Sequence, residues 1–174
     1  MRIITGSARG PSLLTLPGEA TRPTAERTKE AVFSMIQFDI EGRSVLDLFA
    51  GTGSISYEFC SRGAKSVTSV EINAVHHNFI RQTARDFGFT ALHPVKANAF
   101  LYLKSCAKQY DVIFSDAPYD LEGSEEVINL VFERGLLREG GILIFEHSKG
   151  KDFSSHPHFA SLRSYGSVQF SFFE

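Results

Sequence analysis

Four consecutive residues carry the groups best suited to chemistry: Asp116, Ala117, Pro118 and Tyr119. They close the apolar run Asp111-Val112-Ile113-Phe114-Ser115, which reads as a buried strand breaking into a polar turn. The exocyclic amine of a planar base is a poor nucleophile, because its lone pair is delocalised into the ring. A carboxylate at Asp116 and the Ala117 carbonyl can accept the two amine hydrogens and favour a more tetrahedral nitrogen. The Tyr119 ring can stack on an extruded base.

A second stretch, Val45-Leu46-Asp47-Leu48-Phe49-Ala50-Gly51-Thr52-Gly53, has the pattern of another buried strand running into a glycine turn. Gly51 and Gly53 permit positive φ and close approach of a ligand to bare backbone. The dinucleotide fingerprint needs a third glycine, and that position is Ser56. Asp47, four residues before Gly51, would repel a pyrophosphate and attract a cation such as the sulfonium and ammonium of S-adenosylmethionine. Glu71 stands 18 residues beyond Gly53, at the end of the next strand, where an acid can bind a ribose hydroxyl pair. Asn98 ends the third strand; its amide could meet an adenine edge or equally cap the helix that follows.

The elements that must position these groups alternate between strand and helix. Strands are expected at Ser66–Val70, Leu92–Ala97, Asp111–Ser115 and Ile142–Phe145. Helices are expected over 25–36, 54–62, 73–87, 99–106 and 123–137, and Arg138–Gly141 as a turn. Pro94 suits an edge strand. Residues 159–165 and 168–173 read as a closing hairpin, and Arg2–Thr5 with Leu13–Leu16 as an opening one. The pattern is that of an α/β nucleotide-binding fold with ligands at the carboxyl edge of the sheet.

At 174 residues, 43% hydrophobic and 22% charged, the chain suits a single globular domain. Net charge is −2, so no global basic field announces a nucleic acid. Residues 1–30 hold five Arg/Lys against three Asp/Glu, which permits a local basic arm. Cys60 and Cys106 read as buried free thiols. His76 and His77 are adjacent and diverge, and His156-Pro157-His158 lacks a carboxylate or cysteine partner, so no metal site is expected. Without an apolar leader or a run of membrane-spanning length, a cytoplasmic location is expected.

The Asp-Leu-Phe-Ala-Gly-Thr-Gly stretch resembles the first motif of class I methyltransferases. Together with Thr21-Arg22-Pro23-Thr24, the Asp-Ala-Pro-Tyr turn and the ending at Arg163–Phe173, the chain resembles the bacterial 16S rRNA guanine-N2 methyltransferases of the RsmD type. That resemblance implies a Rossmann-like, mostly parallel seven-stranded sheet with its last strand antiparallel, an N-terminal β-hairpin, and S-adenosylmethionine as methyl donor. It implies one domain over 1–174, with residues 1–20 as an arm and 21–174 as the core. Asp47, Phe49, Gly51, Gly53, Glu71, Asn98 and Ala99 would hold the cofactor, Asp116 to Tyr119 would form the catalytic motif, and Arg2, Arg9, Arg22 and Arg27 would meet RNA. The expected partner is 16S rRNA within a partly or fully assembled small subunit, and the expected state a monomer. Two departures stand out. Asn98 replaces an acid, and Ala117 replaces the first proline of the motif, leaving its carbonyl but freeing its φ. Three rival readings remain. One is N-methylation of another planar amine, in DNA adenine or protein glutamine. The others are an NAD-dependent oxidoreductase and a non-catalytic RNA-binding module.

Overall fold

The computed structural model describes residues 1–10 and 23–174. The strands are β1 (Ser44–Leu48), β2 (Ser66–Glu71), β3 (Leu92–Lys96), β4 (Tyr110–Ser115), β5 (Leu137–Ser148), β6 (Phe159–Tyr165) and β7 (Val168–Phe173). They form one sheet in the order β3-β2-β1-β4-β5-β7-β6. β7 is antiparallel to both of its neighbours, and the other six strands share one direction. Strand order reverses between β1 and β4, which opens a crevice at their carboxyl ends. Pro94 sits on β3, at the sheet edge, where a missing N–H goes unnoticed.

Five helices cover the sheet: α1 (Pro23–Met35), α2 (Ser54–Ser61), α3 (Ala74–Asp86), α4 (Ala99–Ser105) and α5 (Glu126–Glu133). α1 begins two residues earlier than its sequence suggests, with proline in the first turn, where its lost N–H costs nothing. α5 is shorter than expected, and Arg138–Gly141 belongs to a bulged start of β5 rather than to a separate turn. A Cβ on Gly141 would lie 2.8 Å from the Arg138 carbonyl, so the bulge needs glycine there.

Side chains on a strand alternate between faces, and each face of this sheet buries its own core. Val45, Val67, Val112, Phe114, Ile144 and Phe170 pack with Phe33, Tyr57, Phe59 and Ile80 from α1, α2 and α3. Leu46, Leu48, Val70, Ile113, Leu143 and Phe145 pack with Leu103, Val127, Ile128 and Val131 from α4 and α5.

The described part of the N-terminal arm is bolted to α2. Ile4 and Thr5 N–H groups donate to the Glu58 carboxylate at 2.7 and 3.0 Å. Ser7 N–H donates to the Ser61 carbonyl at 2.7 Å, and Ala8 N–H to the Ser61 hydroxyl at 3.0 Å. A Cβ at Gly6 would collide with the Ser61 backbone. Ile3 bridges Gly10, a tighter return than the hairpin expected from sequence, whose second strand at Leu13–Leu16 lies outside the described residues.

Candidate active site

Two cavities open at the carboxyl edge of the sheet. The first, of about 580 Å³, is lined by Phe49, Gly51, Glu71, Asn98, Ala99 and Pro118, among others. The second, of about 440 Å³, lies between α1, the start of α2 and the ends of β4, β5 and β7. Asp116 lines both.

In the first cavity the glycine turn forms as its sequence requires. Gly51 adopts φ 58°, and a Cβ there would meet nothing within 4 Å, so the absent side chain leaves open space. Phe49 is the one non-glycine residue with positive φ among those described, at 54°. Glu71 is almost buried; its two oxygens accept from Gly51 N–H at 2.7 Å and Asn73 N–H at 2.8 Å. This pins the carboxylate at the cavity wall while each oxygen keeps a second lone pair. Asn98 caps α4, its Oδ1 accepting from Phe100 N–H at 2.9 Å and Leu101 N–H at 3.2 Å. The cap leaves Nδ2 as the group Asn98 can offer a ligand.

Gly53 and Asp47 line neither cavity. A Cβ on Gly53 would come within 2.5 Å of the Tyr57 ring, so this glycine serves the packing of α2 and is absent from the cavity wall. Asp47 faces α2, because it shares strand parity with Val45. It is fully buried, and its Oδ2 accepts from the Ser56 hydroxyl at 2.6 Å. Ser56 thus occupies the missing third glycine position and binds the motif's acid. Burial pushes the Asp47 carboxyl up to about 7, with the Ser56 hydrogen bonds opposing and Glu71 adding to the rise.

Three of the four enclosed side-chain polar atoms without a partner among the described residues are Asp47 Oδ1, Ser115 Oγ and Asp116 Oδ1. All three lie near the carboxyl ends of the adjacent strands β1 and β4. Buried polar groups are nearly always paired, with protein or with ordered water, so these three atoms single out this edge of the sheet. Burial holds the Asp116 carboxyl far above the usual range, and the nearby Asp47 and Glu146 carboxyls push the same way. Ala117 is buried beside it, and Tyr119 is 56% exposed at the rim. Partial burial and then the Glu146 and Asp116 charges raise the Tyr119 hydroxyl.

Glu146 is the residue that the sequence did not single out. Phe114 pairs with Ile144 and Ser115 with Phe145, which makes Asp116 and Glu146 the next pair in register. Burial pushes Glu146 up to about 7. An acid ending an apolar strand was a visible signal, but its proximity to Asp116 depends on knowing that β5 lies beside β4.

Of the basic residues, Arg2, Arg9 and Arg27 are exposed, and Arg22 lies outside the described residues. Arg9 follows the segment bound to Ser61, near the carboxyl end of α2, whereas the cavities open at its amino end. No cluster of three or more metal-ligating side chains occurs among the described residues, and no described helix is long and apolar enough to cross a membrane.

This sheet order, crevice and paired cavity define a Rossmann-like fold of the class I S-adenosylmethionine-dependent methyltransferase type. The solved structure of Escherichia coli yhhF matches with a TM-score of 0.87 at 26% identity, covering 99% of this chain and 96% of that one. A more distant structural match, at TM-score 0.73 and 17% identity, is the T. thermophilus 16S rRNA N2 methyltransferase RsmC in complex with AdoMet and guanosine. It covers 90% of this chain and 44% of that one. The family model described as "Conserved hypothetical protein 95" matches residues 1–174, and the chain belongs to that family, as its resemblance to the RsmD type led us to expect. Ribosomal RNA small subunit methyltransferase D of Haemophilus influenzae is 32% identical over 155 residues, spanning 87% of this chain and 80% of that protein.

Proposed function

We propose that this protein transfers a methyl group from S-adenosylmethionine to the exocyclic N2 amine of a guanine in small-subunit ribosomal RNA. The observation that carries the reading is Asp116. It lines both cavities, and one enclosed oxygen of its carboxyl lacks a partner among the described residues. The names of the relatives support the RNA substrate.

The first cavity fits the methyl donor. Gly51 leaves room where a side chain would intrude, Glu71 offers paired acceptors to a ribose diol, and Asn98 offers a donor to a base. When bound, S-adenosylmethionine supplies a methyl carbon made electrophilic by its sulfonium. The chain's own residues do the rest by positioning and electrostatics. Asp116 and the Ala117 carbonyl accept the amine hydrogens and orient its lone pair. Asp116 or water takes the proton the amine loses. Tyr119, free at the rim, swings over the base. The unit acting is one domain with residues 1–20 as an arm, working as a monomer on 16S rRNA in a partly or fully assembled small subunit.

The test is transfer of labelled methyl from S-adenosylmethionine to small-subunit particles lacking the modification, with naked RNA, DNA and protein in parallel. Label at a guanine N2 is the expected result. Label in DNA or protein would move the substrate to another planar amine, and an active Asp116→Ala variant would overturn the role of Asp116.

A further inference from the structure

The second cavity has a chemistry of its own. Phe114, Phe170, Ile55 and Val168 give it much of its apolar lining. Its polar lining holds Thr28, Ser54 and two acids, Glu146 on β5 and Asp116 just beyond β4, one register step past the Ser115–Phe145 pair. Lys29 also lines the cavity, but its ammonium is engaged elsewhere. It lies 3.2 Å from Glu58 and donates to the Arg2 carbonyl at 2.9 Å. Glu146 has no hydrogen-bond or ion-pair partner among the described residues, and its oxygens are not enclosed as Asp116 Oδ1 is. A cavity lined by two phenylalanines and two neighbouring carboxyls suits a planar heterocycle with a row of N–H donors along one edge. Guanine presents N1–H beside its N2 amine. Adenine presents a lone pair at N1 beside its N6 amine, which would face a carboxylate head-on.

We propose that this cavity seats the target base and that the Glu146 carboxyl, beside Asp116, reads its edge, accepting from guanine N1–H and opposing the N1 lone pair of adenine. The inference rests on the methyltransferase reading above and deepens it. Glu146 is thereby the residue that selects guanine, while Asp116 serves the amine that reacts.

The test compares two small-subunit substrates, one with guanine and one with 2-aminopurine at the methylated position. 2-Aminopurine keeps the amine but carries a lone pair at N1. Single-turnover rates are read with enzyme in excess. The wild-type protein should prefer guanine by roughly 10- to 100-fold. Glu146→Gln, which offers a donor as well as an acceptor, should cut that preference at least roughly tenfold. Glu146→Asp should keep the preference at a lower rate, which guards against a Gln variant that merely folds badly. S-adenosylmethionine affinity, read by titration, should not change in either. An equal loss on both substrates, or a loss of S-adenosylmethionine affinity with the preference intact, would overturn the assignment; the latter would mean that the cavity holds the amino-acid end of the donor. A wild-type protein that labels no guanine would instead overturn the methyltransferase reading itself, and this inference with it.

Discussion

Two buried acids in this molecule have opposite surroundings. Glu58, fully buried on α2, meets the Lys29 ammonium, the Arg62 guanidinium at 2.8 Å and two backbone N–H groups from Ile4 and Thr5. Its burial alone would raise its pKa, but these partners together bring it below the usual carboxylate value. Asp116 has an enclosed oxygen with no partner among the described residues, and its carboxyl is held far above that value. The first acid is satisfied by the protein and holds the arm, α1 and α2 together. The second has no such partner for its enclosed oxygen among the described residues. A buried charge with all its partners belongs to the fold, and one without them is a candidate for chemistry.

The largest expected effect is on activity at the unsatisfied acid. Asp116→Asn should lower methyl transfer by roughly 10²- to 10⁴-fold, while its melting temperature holds or rises because an uncompensated carboxyl is removed. Glu58→Ala should do the reverse. Leaving Lys29 without its buried partner should cost about 3–5 kcal/mol in denaturant unfolding, and transfer per folded molecule should be retained. If the two variants behaved alike, the contrast would fail.

The pH dependence of stability sharpens the same comparison. Asp47, raised to about 7, binds its proton in the folded chain between its ordinary value of 3.8 and that pH, where the unfolded chain has released it. Stability therefore falls as pH rises through this window, by on the order of 1.4 kcal/mol per unit while the group titrates. Glu58, depressed, contributes stability that is complete above the ordinary glutamate range and is lost as pH falls through its folded value. Glu146 and Asp116, also raised by burial, slope the same way, so Asp47→Asn should make the fall between about pH 4 and 7 shallower without removing it, as read by thermal melts across that range.

The two motif glycines separate in the same way. Gly53→Ala must push a methyl into the Tyr57 ring and should destabilise the fold by about 1–3 kcal/mol. Gly51→Ala meets no neighbour, so it should cost only roughly 1–2 kcal/mol for its left-handed backbone and instead weaken S-adenosylmethionine binding in a titration. The smallest effect is expected at exposed Arg27. Arg27→Ala should weaken RNA binding uniformly and reduce its salt slope by about 1.

Much of this was legible in the sequence. The strand, glycine turn and helix around Gly51 form where apolar runs and glycines require, and the Asp116–Tyr119 turn emerges beside the same crevice. Asp47 was legible only in part. Alternation along β1 fixes it on the side of Val45, beneath α2, whereas its hydrogen bond with Ser56 joins strand to helix and is not announced by the motif. What escaped were relations between distant segments. Glu146 gains meaning only from the pairing of β5 with β4, and the anchor of the arm joins residues 53 and 54 positions apart. Nothing local in Ile4, Thr5 or Glu58 announces that contact. Arg138–Gly141 has the composition of a turn, and pairing with β4 at Leu137 and from Ile142 onward makes it a bulge within β5 instead.

β7 is antiparallel and sits between β5 and β6, so β6 is made before the strand that connects it to the sheet. While the chain is being synthesised, Phe159–Tyr165 must wait as an unpaired ribbon until Val168–Phe173 has emerged. Phe170 and Phe173, both fully buried on opposite faces, then arrive together and close both cores. A stop codon just before Val168 would therefore remove two strands from the sheet rather than one, expose Leu143–Ser148 of β5 as an edge, and strip Phe170 from the lining of the second cavity.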